Sequence, residues 1–84
     1  MEKNYYYLHR ADTREDIEAG KNKREAIKKG RELAAQFKTS IKLLKCVEDK
    51  PGGDLLVYYI GVLEFPYYLR DLNLTAADIT VNIY

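Results

Sequence analysis

Cys46 and His9 are the only thiol and the only imidazole in this 84-residue chain. A nucleophilic site would have to be assembled from them, or from a few hydroxyl side chains placed beside a base. Cys46 lies in the apolar-rich stretch "SIKLLKCVE", which reads as a strand and makes it a core thiol. One His and one Cys supply no set of zinc ligands. The acidic run "DTREDIEAG" fails as an EF-hand loop, because Arg14 occupies the place of the third-position oxygen ligand. Glu48, Asp49, Asp54 and Glu64 are carboxylates close in sequence, but their spacing singles out no acid–base pair. "PGGD" has the chemistry of a hairpin turn, not of a phosphate loop. The expectation is a protein that is not an enzyme and carries no metal and no cofactor.

Two other groups of residues have a chemistry of recognition. Eight tyrosines occur against two phenylalanines and no tryptophan, and seven of them cluster in "KNYYYLHR", "LLVYYIGVLEF" and "FPYYL". Adjacent strand residues point to opposite faces, so Tyr5 and Tyr7 share a face with His9, and Tyr6 shares the other with Leu8. The same rule separates Tyr58 from Tyr59 and puts rings on both faces of a sheet. A tyrosine ring offers contact area while its hydroxyl stays hydrated, which suits a half-exposed recognition surface. Tyr5, Tyr7 and Tyr59 are the expected anchors, with His9 as a polar member of the patch.

The second group is cationic. The net charge is +1, yet residues 21–38 hold seven basic and two acidic side chains. Lys21, Arg24, Lys28 and Arg31 form a basic strip across from the apolar side of a helix, and Lys23 joins Lys21 and Arg24 at its N-terminus. Acidic side chains are the ones favoured there, by about 0.3–1 kcal/mol each, so these cations mark an expected anion or phosphate site. The competing expectation is that Asp12, Glu15, Asp16 and Glu18 fold back and neutralise them.

The elements that hold these groups follow from periodicity and turn chemistry. Residues 4–10 read as a first strand. Thr13 with Asp16 resembles a weak capping box, and Gly20 reads as the end of a one-turn helix. Asn22 is the expected N-cap of the main helix, residues 23 to 38, with Glu25 completing a capping box. At about 100° per residue, Ala26, Ile27, Gly30, Leu33, Ala34 and Phe37 gather on its buried stripe. Gly30 at the centre of that stripe predicts close approach to a sheet. Residues 40–48 and 55–65 read as two strands joined by "DKPGGD" in a hairpin, and Pro66 stops the second. Thr75 with Asp78 permits a short helical turn before a last strand, "ITVNIY". The fold expectation is α+β: a small antiparallel or mixed sheet with one main amphipathic helix on one face, in the order β-α-β-β-turn-β.

That order is shared with ferredoxin-like folds, whose RNA-recognition versions stack bases on sheet aromatics. The strand "LLVYYIGVLEF" lacks their basic-Gly-aromatic pattern, so no residue roles carry over. The hydrophobic share of 46% and the charged share of 32% are those of one soluble domain spanning residues 1–84. The longest apolar run, Leu55 to Leu63, is nine residues, against the roughly 20 needed to cross a bilayer, so no membrane partner is expected. No secretory signal is visible, and a single cysteine fits a reducing, cytoplasmic setting. The leading functional expectation is a small binding module that contacts protein through a Tyr-rich sheet face, a second copy of the chain being one such partner. The alternative is a nucleic-acid binder that uses the basic helix for phosphates and the tyrosines for bases.

Overall fold

The computed structural model describes residues 3–49 and 54–84. Strand β1 (Lys3–Arg10) is followed by β2 (Asp16–Glu18), helix α1 (Lys23–Phe37), β3 (Ile41–Asp49), β4 (Asp54–Glu64) and β5 (Thr80–Ile83). The strands form one sheet in the order β2-β1-β3-β4-β5, and every neighbouring pair is antiparallel. With α1 packed on one face, this is the α+β arrangement expected.

One expectation is corrected. Residues 13–20 form no helical turn; they make the tight turn and return strand of a β1–β2 hairpin. Arg10 N–H donates to the Glu15 carbonyl (2.9 Å) and Arg14 N–H to that of Arg10 (3.0 Å), with Arg14 in the left-handed region at φ 62°. Thr13 Oγ1 accepts from Glu15 N–H instead of capping a helix. The Asp12 carboxylate takes the Thr13 N–H (2.8 Å) and the Arg10 guanidinium (2.7 Å). Ile17 lies opposite Leu8 and packs against the core, which extended backbone achieves and a single helical turn would not. Gly20, at φ 81°, then turns the chain away from the sheet edge towards α1.

Helix α1 begins at the expected N-cap, with Asn22 Oδ1 accepting from Glu25 N–H (3.1 Å), but the Glu25 carboxylate takes no bond from Asn22 N–H, so the expected capping box is only half formed. It ends at Lys38, whose φ of 55° is left-handed and whose N–H donates to the Ala34 carbonyl. Ala26, Gly30 and Ala34 are buried against the sheet. A Cβ on Gly30 would collide with Leu63 Cδ1 and come within 3.0 Å of Leu8 Cδ2, so the glycine sets how closely helix and sheet approach. Leu8, Ile41, Leu43 and Leu63 are fully buried below it and form the centre of the core, with Phe65 and Ile79 closing one side. At the C-terminal end of the helix the Arg10 guanidinium lies 3.8 Å from the centre of the Phe37 ring.

Strand β4 ends before Pro66, and a 3-10 turn (Tyr67–Leu69) follows. Tyr67 Oη accepts from Ser40 N–H (2.9 Å), while Ser40 Oγ accepts from Phe65 N–H (3.1 Å), tying this turn to the start of β3. Thr75 and Asp78 cap a second 3-10 turn (Ala76–Asp78) with a complete capping box. The β3–β4 turn, residues 50–53, lies outside the described residues; the pairing of its flanks, Asp49 opposite Asp54, is present. The molecule measures 49 × 22 × 19 Å, elongated because β3 and β4 run on past the end of the helix.

Candidate functional site

On the face away from α1, three rows of side chains cross the middle of the sheet. Tyr5 lies beside Cys46 and Val57, Tyr7 beside Leu44 and Tyr59, and His9 beside Lys42 and Val62. Tyr5, Tyr7, His9 and Tyr59, the side chains expected to bind a partner, are thus brought together on one face.

Tyr59 reaches that face because of a β-bulge. Leu43 pairs with Gly61, but Leu44 pairs with Tyr59, leaving Ile60 as the extra residue. Gly61 and Leu63 belong to the helix side, and strict alternation from them would place Tyr59 there too. The bulge reverses the alternation. Tyr59 therefore turns outward, and Tyr58 goes to the helix side beyond the end of α1.

Each ring of the patch is held by specific contacts. Tyr5 and Tyr7 meet edge to face, with centroids 6.5 Å apart and planes at 74°. The Tyr5 hydroxyl donates to Glu48 Oε2 (2.8 Å), and this bond, with some desolvation and the carboxylate's charge, holds the phenol above its ordinary pKa. Tyr59 stacks on Tyr84 at 5.3 Å and 29°, with Lys42 Nζ 5.7 Å from its ring centre. Burial raises the Tyr59 pKa, and its hydrogen bond with Tyr84 adds to this. His9 Nδ1 lies 2.8 Å from Asp16 Oδ1. Between Tyr5, Tyr7, Leu55 and Val57 lies a hollow of about 260 Å3, with the buried Cys46 among its walls. Burial, with the nearby Asp16 charge, pushes the Cys46 thiol up, away from the thiolate a nucleophile needs.

The cationic residues lie elsewhere. Lys23, Arg24 and Lys28 are exposed on α1, on the opposite side of the sheet from Tyr5, Tyr7 and Tyr59, and Lys21 is exposed just before the helix. Arg31 is partly buried and donates through Nε to the Ala76 carbonyl (3.0 Å), so it fastens the helix to the 76–78 turn. The acidic connector does not neutralise these cations: Asp12 and Glu15 pair with Arg10, and Asp16 pairs with His9. Glu18 contributes only its carbonyl, to Lys29 Nζ (3.0 Å). The two sets of predicted site residues are therefore on separate surfaces.

Sequence reasoning missed Tyr84, Leu44, Leu55 and Val57 as members of the open face. The alternation of "ITVNIY" places Tyr84 with Thr80 and Asn82, and that signal leads to the face once β4–β5 register is known. Among the described residues no group of three or more His, Cys, Asp or Glu side chains could hold a metal ion. No described helix is long and apolar enough to cross a membrane. No protein-family model, curated protein or solved structure matches the chain.

Proposed function

We propose that this chain is a non-catalytic binding module, working in a reducing cytoplasmic setting, whose open sheet face docks a protein partner. The observation that carries this reading is the convergence of Tyr5, Tyr7, Tyr59 and Tyr84 on a face that no described element covers. An antiparallel sheet can leave one face to water, but a face this rich in half-exposed rings over apolar neighbours has the composition of an interface core. Tyr5, Tyr7 and Tyr59 are the anchors. Their rings are already restrained by neighbours, which lowers the ordering cost of binding. His9 and Lys42 supply polar contacts at the rim.

The alternative, a nucleic-acid binder, draws support from the exposed Lys21, Lys23, Arg24 and Lys28. It draws less, because those cations face away from the tyrosines. Asp16, Glu18, Glu48 and Glu64 surround the rings instead, and carboxylates repel a phosphate backbone.

The test compares wild type, Tyr5→Ala/Tyr7→Ala and Arg24→Ala/Lys28→Ala in quantitative affinity capture, with circular dichroism to verify folding. A protein retained by wild type and by the basic-residue variant, but lost by the tyrosine variant, supports the reading. Equal retention by all three overturns it. Oligonucleotide binding that weakens steeply with salt and is lost in the basic-residue variant establishes the alternative.

A further inference from the structure

A cleft of about 370 Å3 lies between α1 and the 76–78 turn. Arg24, Lys28 and Arg31 line it from the helix, and Ile27, Ala76 and Ala77 make the apolar part of its lining. Lys21 and Lys23, the other cations expected to bind an anion, are not among its walls. Spacings of four and three residues stack Arg24, Lys28 and Arg31 on one side of the helix, with successive Cβ atoms about 5–6 Å apart.

The carboxylates near the cleft do not neutralise these cations. Among the described residues none of the three is in an ion pair. Glu32 also lines the cleft yet pairs with none of them, and the Asp78 carboxylate of the facing turn accepts from Thr75 N–H (2.8 Å). Arg31 donates through Nε to the Ala76 carbonyl (3.0 Å), and its two Nη groups make no hydrogen bond among the described residues. The Ala76 bond thus holds the guanidinium at the wall and leaves the outer edge of its fork for an acceptor.

We propose that this cleft binds a small phosphate monoester with a nucleoside body, the phosphate lying among Arg24, Lys28 and Arg31 and the body against Ile27, Ala76 and Ala77. Charge selects the head group. Three cations against the Glu32 carboxylate leave two positive charges, and a phosphate monoester carries about −1.5 to −2 at pH 7. A carboxylate or a phosphodiester carries a single charge and leaves the cleft half neutralised. The guanidinium fork matches two oxygens of one phosphate, and because Ala76 already holds Arg31, less freedom is lost on binding. Size limits the body: the cleft is at the small end of ligand pockets, roughly 300–1,000 Å3, which admits one nucleotide unit and not a duplex. A polynucleotide, with one charge per phosphate, calls instead for cations strung along a track.

The site is independent of the protein-docking reading, because α1 lies on the opposite side of the sheet from Tyr5, Tyr7 and Tyr59. The test is a nuclear magnetic resonance titration of the full chain, following backbone amides, with adenosine 5′-monophosphate, ribose 5-phosphate and adenosine 3′,5′-cyclic phosphate as probes. The monophosphate is expected to saturate with Kd below about 1 mM, its shifts centred on the cleft. Ribose 5-phosphate, which lacks the base, and the cyclic phosphate, which carries one charge, should each bind about tenfold more weakly. Lys28→Gln should also weaken the monophosphate about tenfold, whereas Lys29→Gln, the same loss of charge outside the cleft, should bind as wild type does. Tyr5→Ala/Tyr7→Ala should bind the monophosphate unchanged, so failure of the docking reading leaves this site standing. No saturation by the monophosphate, equal binding of ribose 5-phosphate or the cyclic phosphate, equal losses in Lys28→Gln and Lys29→Gln, or shifts centred away from the cleft would each overturn the inference. An oligonucleotide without a terminal phosphate that binds more tightly at the same residues would replace it by the nucleic-acid alternative.

Discussion

Tyr59 and Tyr84 stack at 5.3 Å with 29° between their planes, joining the last residue of the chain to the strand that bears the candidate anchors. An aromatic pair contributes about 0.5–1.5 kcal/mol beyond area burial, and the exposure of both rings puts this one at the low end. Tyr84→Ala should therefore lower the urea midpoint by a small, measurable amount with an unchanged slope. Burial is the first cause of the raised Tyr59 pKa and the Tyr84 bond the second. In Tyr84→Phe, ultraviolet titration should show Tyr59 ionising earlier than in wild type, but still above the ordinary tyrosine value.

Gly30→Ala sets two effects against each other. Alanine improves helix propensity by about 1 kcal/mol. The added methyl, however, collides with Leu63 and crowds Leu8 in a fully buried layer, and overpacking of this kind costs about 1–3 kcal/mol. The clash should win, giving a destabilised protein in urea or thermal unfolding. Combined with Leu63→Ala, the substitution should cost much less than it does alone, because the methyl enters the space vacated.

Asp12 reports on acid stability. Its hydrogen bond to the Arg10 guanidinium is the first cause that lowers its pKa, with the Thr13 N–H assisting. A carboxylate lowered by folding stabilises fully above its unfolded pKa, and that contribution is lost as pH falls through the lower folded value. Asp12→Asn should flatten the acid limb of the stability profile below the ordinary aspartate range and leave the neutral-to-alkaline limb unchanged. Unfolding midpoints measured across the acid range decide this.

Cys46 should resist thiol reagents in the folded protein. It is buried within the sheet and its pKa is raised by desolvation, so little thiolate is present or reachable near neutral pH. Labelling with a disulfide-forming chromophore should be slow in the native state and fast in denaturant. Tyr5→Ala, which removes one wall of the adjoining hollow, should speed native labelling without exposing the core under α1.

What was legible in the sequence was local or strictly periodic. Asn22 and Glu25 mark the start of α1 because both groups of the bond lie within one turn, and Gly30 announces close packing because nothing else justifies a glycine mid-stripe. The β1–β2 hairpin was not legible. Thr13 and Asp16 suit either a helix cap or a turn, and the choice is made by Leu8 opposite Ile17 and by Arg10 drawing in Asp12 and Glu15. The outward placement of Tyr59 was expected, but its cause, the bulge at Ile60, lies in the pairing of β3 with β4, and its one local sign in β4 is the neighbouring Gly61. The division between a tyrosine face and a cationic helix was equally hidden, since neither segment specifies which side of the sheet the other occupies.

The strand order has a kinetic consequence. β1 with β2 and β3 with β4 are hairpins that close over short spans, whereas the β1–β3 seam joins residues as far apart in the chain as Lys3 and Glu48. Helix α1 lies inside the connection that this seam closes. Forming the helix early shortens the span to be searched and presents Ala26, Gly30 and Ala34 to both hairpins at once. The joining of the two hairpins across the seam should therefore limit the rate of folding, because its loop entropy must be lost before its contacts form.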